Sequence, residues 1–214
     1  MPFDSTAETV RAWVDGWVVS RGAADPVAEP WGFTVDVGHV KHATRHVLTA
    51  DDEPTVRKVA AEVAAPAVWL KAFADPEAVL SWVGPDWTAD DPGWLMHTEL
   101  RRSATAIPEG YAMKTWVRGG VTRVLVTAAG GSFAARGQVA PTGTTAVVDQ
   151  VETAAAHQRK GLGSLVMRTL HNAAVDSGAS IGILGATFEG RALYESLGWR
   201  AQSPLVSLYY GPAA

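Results

Sequence analysis

A chain of 214 residues with 47% hydrophobic and 19% charged residues can bury a full core without staples, and its composition is that of a globular protein. Its net charge of −4 supplies no overall basic field for nucleic acid or an anionic membrane, although a local basic spot can still hold a small anion. The absence of cysteine excludes disulfides, thiolate zinc sites and cysteine nucleophiles and makes a reducing cytoplasm the simplest setting; the start Met1-Pro2-Phe3-Asp4 lacks the basic and apolar regions of a signal peptide, and no apolar run reaches membrane-span length.

Ser5 and Glu8 have capping-box spacing, and Val10, Trp13, Val14 and Trp17 share one face, so a helix is expected over 5–20. Pro26 and Pro30 make 21–30 a loop. Strands are expected from Gly32 to Val37 and from Thr44 to Leu48. Asp51, Asp52 and Pro54 then open a helix that carries Val56, Val59, Ala60 and Val63 and stops at Pro66. A short helix begins at Asp75-Pro76 and ends near Gly84, and residues 84–93 read as loop.

The second half is patterned differently. Val121–Ala129, the hairpin turn Gly130-Gly131 and Ser132–Ala140 read as paired strands; Pro141-Thr142-Gly143 turns into a third, Thr144–Thr153. Ser164–Ser177 is a helix ended by Gly178, Ile181–Leu184 a short buried strand, Glu189–Leu197 a helix ended by Gly198, and Val206–Tyr210 a closing strand. This order predicts an α+β fold, an α/β/α sandwich around a mixed, mostly antiparallel sheet. No internal sequence repeat is visible.

The segment Gln158-Arg159-Lys160-Gly161-Leu162-Gly163-Ser164 lies between a strand and a helix start. Two glycines permit a tight turn and close backbone approach, the helix N-terminus offers unpaired N–H groups, and Arg159 and Lys160 add charge: a cradle for a diphosphate. Neither the Walker loop nor the Gly-x-Gly-x-x-Gly dinucleotide fingerprint is present. Gln158-x-x-Gly161-x-Gly163 resembles instead the Gln/Arg-x-x-Gly-x-Gly/Ala signature of the GNAT superfamily of acyl-CoA-dependent N-acyltransferases. Arg191-Ala192-Leu193-Tyr194-Glu195-Ser196-Leu197-Gly198-Trp199 resembles that superfamily's later Ala-x-x-Leu-Tyr-x-x-x-Gly-Phe segment.

The resemblance implies that acetyl-CoA is the acyl donor, with no metal. Val151, Glu152 and Thr153 would meet the pantetheine arm, Gln158 through Ser164 the pyrophosphate, and Tyr194 would protonate the departing thiolate. Two positions depart from the family pattern. Thr187 stands where an Asn is frequent, and Gly182 and Gly185 occupy the short strand where an acid is common. The general base is therefore open between Glu152 and Asp149. These lie three residues apart, so strand alternation points them to opposite faces.

The expected reaction is acetyl transfer to a primary amine of a small molecule. The alternatives are a protein N-terminus or lysine as acceptor, or a non-catalytic acyl-CoA-binding module. Residues 1–110 form the acceptor side, open to being a diverged copy of the same sheet, and 111–214 the coenzyme-binding core. Trp13 and Trp17 read as core, and Trp87 and Trp94, flanking the Asp-Asp-Pro-Gly loop, as walls of the acceptor pocket. His39, His42 and His46 lack zinc spacing and read as surface or loop residues, and His157 as a loop residue near phosphate. No nucleic acid or membrane partner is expected, and a homodimer is left open.

Overall fold

The protein is described by a computed structural model covering residue 3 and residues 5–211; apart from Phe3, the start Met1-Pro2-Phe3-Asp4 lies outside the described residues. Helix α1 (Thr6–Arg21) begins where the capping box predicts: the Ser5 side chain accepts from the Glu8 N–H at 3.2 Å, and Gly22 in the left-handed region ends the helix. Strands β1 (Val27–Glu29), β2 (Gly32–His39) and β3 (His42–Leu48) form an antiparallel meander. Helix α2 (Glu53–Glu62), capped by Asp52, leads to β4 (Val68–Ala72), and α3 (Pro76–Trp82) to β5 (Trp87–Ala89) and β6 (Gly93–Glu99).

The remaining strands are β7 (Tyr111–Arg118), β8 (Val121–Ala128), β9 (Phe133–Thr142) and β10 (Thr145–Thr153), then helix α4 (Leu162–Asp176), β11 (Ile181–Thr187), α5 (Phe188–Ser196) and β12 (Arg200–Tyr210). Among the described residues twelve strands make one sheet in the order β1-β2-β3-β4-β12-β6-β11-β10-β9-β8-β7, with β5 added on β12. The pairs β3–β4 and β10–β11 are parallel and the others antiparallel. Helices cover both faces, so the mixed, mostly antiparallel α+β sandwich expected from the sequence is what forms.

The core has three parts. One lies between the sheet and α4–α5, one beneath α1, and one beneath α2–α3. Met167 and Leu170 of α4 are wholly buried, and each such side chain contributes about 1.5–3 kcal/mol by leaving water. Trp13 and Trp17 are core residues as expected, each 5% exposed. Helix α1 packs across β9, β10 and β11 as well as over Phe33, Val35 and Val47, and β6 sits between β11 and β12. The sheet therefore runs without interruption across residue 110. No described helix is long and apolar enough to cross a membrane.

Several local expectations change. The loop at 21–30 contains β1, which folds back in a tight hairpin onto β2, and the loop at 84–93 contains β5, which finds a partner in the distant β12. Strands β4, β6 and β7 add to the expected set. Strand β11 runs on to Thr187 because β6 pairs with it along its whole length. Strand β12 starts at Arg200 instead of Val206. A register shift between Ala201 and Ser203 lets its first part pair with β6 and its second with β4 and β5.

Candidate active site

Parallel pairing of β10 with β11 covers only Thr145–Val147 against Ile181–Ile183. Beyond it the strands part, β10 continuing on β9 and β11 on β6. The cause is a bulge: Asp149 pairs with Gln138 and Glu152 with Arg136, three residues against two, with Gln150 at φ +53°. The bent strand opens a cleft of about 910 Å³ between the two strand edges, the start of α4 and one side of α5. A larger cleft, about 1120 Å³, opens at the other end of β11 beside Ser180 and Ile181; of the quoted motifs it meets only Ser196, Leu197 and Gly198, and none of the expected coenzyme, catalytic or acceptor residues.

The bulge also corrects the alternation argument. Asp149 and Glu152 are only two pairing positions apart, so they share a face instead of pointing to opposite ones. Their environments differ. Asp149 accepts from Ser20 Oγ at 2.9 Å, Arg21 Nε at 2.5 Å, Arg21 Nη2 at 2.9 Å and the Gln150 N–H at 2.8 Å. Glu152 is exposed and has one ion pair, with Arg136 at 2.7 Å. Arg21 was not singled out in the sequence; its partner is 128 residues away, and no local pattern signals such a pair.

The segment 158–164 wraps the N-terminus of α4. Arg159 at φ +61° and Gly161 at φ +79° wind the chain left-handed, which is why a glycine stands at the N-cap. No side chain caps α4, so its first N–H groups face the cleft unpaired by any cap. A Cβ at Gly161 would meet no protein atom within 4 Å and would occupy the open side. Gly163 has a different reason: a Cβ there would lie 2.8 Å from Leu193 Cδ2, so this glycine sets how closely α4 approaches α5.

Val151, Thr153, Gln158, Arg159, Leu162, Ser164 and Thr187 all line the cleft, with Asp149, Glu152, Gly161, Gly163 and Tyr194. Lys160 does not; its ammonium turns back onto the Ala156 carbonyl at 3.1 Å. Thr187 caps α5, accepting from the Gly190 N–H at 3.2 Å. Tyr194 lines the cleft and its hydroxyl has no hydrogen-bond partner among the described residues. Burial first, then the charge of Asp149, raises its pKa to about 12. The group is a protonated donor throughout the neutral range.

Neither tryptophan expected in an acceptor wall reaches the cleft. Trp87 is 8% exposed in the core under α2–α3, where its Nε1 donates to the Ala60 carbonyl at 3.3 Å. Trp94 packs on Phe188, with Arg191 4.5 Å from its ring centre. His157 lies next to the loop, its Nδ1 3.0 Å from the Tyr111 hydroxyl. His42 and His46 are half-buried instead of surface residues: His42 stacks on Trp69, and His46 meets the Thr34 hydroxyl.

No protein-family model matches the chain, and no curated protein matches it. Solved structures do. A GCN5-related N-acetyltransferase from Kribbella flavida is 19% identical, with 99% of this chain and 98% of that one covered at a TM-score of 0.66. A putative acetyltransferase of the GNAT family from Novosphingobium aromaticivorans is 17% identical, with 96% and 97% covered and a TM-score of 0.58. A tandem GNAT protein from the clavulanic acid biosynthesis pathway is 14% identical, with 98% and 97% covered and a TM-score of 0.55. The chain has the GNAT fold over its whole length.

Proposed function

We propose that this protein is an acyltransferase that moves an acetyl group from acetyl-CoA to a primary amine of a small molecule by direct attack within a ternary complex. The observation that carries the reading is the uncapped, glycine-wound N-terminus of α4 opening into the parted edges of β10 and β11, with the Tyr194 hydroxyl unengaged beside it. The helix end and Arg159 suit a diphosphate. The free edge of β10 at Val151–Thr153 suits an extended, amide-containing arm, because its backbone groups have no partner on β11.

In the reaction the amine nitrogen attacks the thioester carbon, the C–S bond breaks, and a proton passes from nitrogen to base while another reaches sulfur. An alkyl ammonium with a pKa near ~10.4 must first be deprotonated. Glu152, with a single ion pair, has oxygen lone pairs to spare and serves as the base, directly or through water. Asp149 has both oxygens engaged and holds Arg21 and the bulge in place. Tyr194 donates to the leaving thiolate, whose conjugate acid has a pKa near ~8.5. The first half of the chain selects the acceptor. Its order of strand, helix, parallel strand and helix matches that of the second half, and the likeness to a protein described as a tandem GNAT supports a diverged copy.

The test is calorimetry with CoA followed by thiol release from acetyl-CoA across a panel of amines. Binding with turnover of small amines supports the reading. Binding with no turnover of small amines or lysine peptides identifies a non-catalytic acyl-CoA module, turnover of lysine peptides alone identifies a protein acetyltransferase, and no CoA binding defeats all three.

A further inference from the structure

Two cations are buried in the first half with no carboxylate within 4.0 Å among the described residues: Arg45 on β3 and Lys71 on β4, each 8% exposed. They stand on the sheet face beneath α1. Arg45 Nε donates to His42 Nε2 at 3.1 Å, and its guanidinium lies 3.8 Å from the centre of the Trp17 ring. Its Nη groups have no partner among the described residues and are not sealed from solvent. Lys71 Nζ meets Ser207 Oγ at 2.5 Å and lies 5.0 Å from the Trp69 ring centre, leaving two of its three donors without a protein acceptor. Half-exposed His42, Trp69 and Tyr209 stack in series at 4.9 and 5.3 Å and form the outer wall.

This cluster adjoins the cleft. Arg21, one turn beyond Trp17, lies 5.8 Å from the centre of the same Trp17 ring while binding Asp149 in the cleft wall. The nearest negative fields on the two buried cations are Asp149 for Arg45 and Asp90 for Lys71, neither in contact. A cation removed from water and left without an anion is costly, and packing alone is served as well by an apolar side chain of the same length. The arrangement makes sense when a ligand brings the anion.

We infer that the acceptor carries a compact anionic group, a carboxylate or a phosphate, besides its amine, and that Arg45 and Lys71 receive that group beside the stacked His42 and Trp69 rings while the amine enters the cleft. The inference rests on the acyl-transfer reading for the amine but not for the anion. Burial holds Lys71 well below the ordinary ammonium range, and a neighbouring anion would restore its charge.

The experiment compares matched amines of equal length ending in a carboxylate, a phosphate, a primary amide or a methyl ester, with acetyl-CoA saturating. The anionic members are expected to show kcat/KM at least about tenfold above the neutral ones; which anion leads separates carboxylate from phosphate. Lys71→Met should collapse that preference through KM, with CoA affinity within about twofold. Arg45→Lys, which keeps the charge and loses the planar fork, should weaken it less than Lys71→Met does. A second readout needs no turnover: the carboxylates should raise Tm of the CoA-bound wild type and not of Lys71→Met. Equal use of neutral and anionic amines, or a preference and a ligand-induced Tm shift both intact in Lys71→Met, overturns the inference. Failure of all amines to react while the Tm shift persists overturns only the acyl-transfer reading.

Discussion

The two halves of the chain build the same unit, β3–α2–β4–α3 and β10–α4–β11–α5, yet among the described residues it is the second whose strands and helix start open into the cleft described above. The parallel strands differ first. The pairing of β3 and β4 spans Thr44–Val47 against Val68–Lys71, whereas β10 and β11 pair over three positions and part at the bulge. The helix starts differ next. Helix α2 has its N-terminus filled by its own Asp52, whose Oδ1 accepts the Thr55 N–H at 3.0 Å, while α4 starts on a left-handed glycine with no cap. One topology thus yields either a capped helix start or an open one, and the N-cap residue and the parting of the strands together make the difference. In the first half the sheet face under α1 instead gathers cations.

The largest effect that bears on this contrast comes from Tyr194, which lines the cleft of the second half. Tyr194→Phe keeps the ring against Trp199 and removes the donor. Turnover should fall ~10²–10⁴-fold in kcat, with CoA affinity unchanged by calorimetry. A kcat near wild type, measured where chemistry limits the rate, would return Tyr194 to a packing role.

Each half also encloses a neutral histidine, which gives a matched pair of acid-sensitive sites. Burial lowers His171 to about 4, and its Nε2 is unpaired among the described residues; burial, then the neighbouring charge of Arg45, lowers His42 to about 3. In both cases the unfolded chain binds the proton more tightly. The stabilisation is therefore complete above pH ~6.5 and is lost as pH falls towards the folded value. For His171 the full loss is roughly 3 kcal/mol. Denaturant midpoints between pH 7 and 4 should fall steeply for wild type and more gently for His171→Leu; parallel curves would refute the assignment.

Much of the second half was legible because its signals are local. Gly161 and Gly163 mark a loop, Gly178 and Gly198 end helices, and alternation marks β8–β10. The bulge at Gln150 was not legible: it depends on how β9 registers against β10, and it reverses which face Glu152 takes relative to Asp149. The first part of β12, before Val206, hid behind Gln202, Ser203 and Pro204, polar or ring-constrained residues tolerated where the strand changes partner. The acceptor side was placed on Trp87 and Trp94 from a loop composition, but side chains reach a cleft through pairing partners. Trp87 follows β12 into the core under α2, whereas Ser20 and Arg21 reach Asp149 from the end of α1.

Making α4 resemble α2 would break the contrast from the other side. Gly161→Asp places a carboxylate at the N-cap, in a left-handed conformation that aspartate tolerates better than most residues. CoA affinity should fall by about 10²-fold, from loss of the open N–H groups and from repulsion of the diphosphate. Calorimetry at two salt concentrations checks it, since the repulsive part shrinks as salt rises. Unchanged affinity in the folded variant would move the diphosphate away from α4.

The smallest effect is expected from the converse change, Asp52→Ala in α2. The Thr55 backbone N–H, then its hydroxyl, holds the Asp52 carboxyl below its ordinary value, so its ionised form is the one that caps. A folded value below the unfolded one stabilises above the unfolded pKa and ceases to do so as pH falls through the folded value. Loss of the cap should lower Tm by about 2–4 °C at pH 7 for a chain of this length, and the gap between variant and wild type should close under acid. Because α2 is followed by strands that stay paired, uncapping it leaves no cleft behind the freed N–H groups. The variant should therefore still bind one CoA per chain with wild-type affinity. A second equivalent of CoA in the titration of Asp52→Ala would show that the cap alone, and not the parting of the strands, separates the two halves.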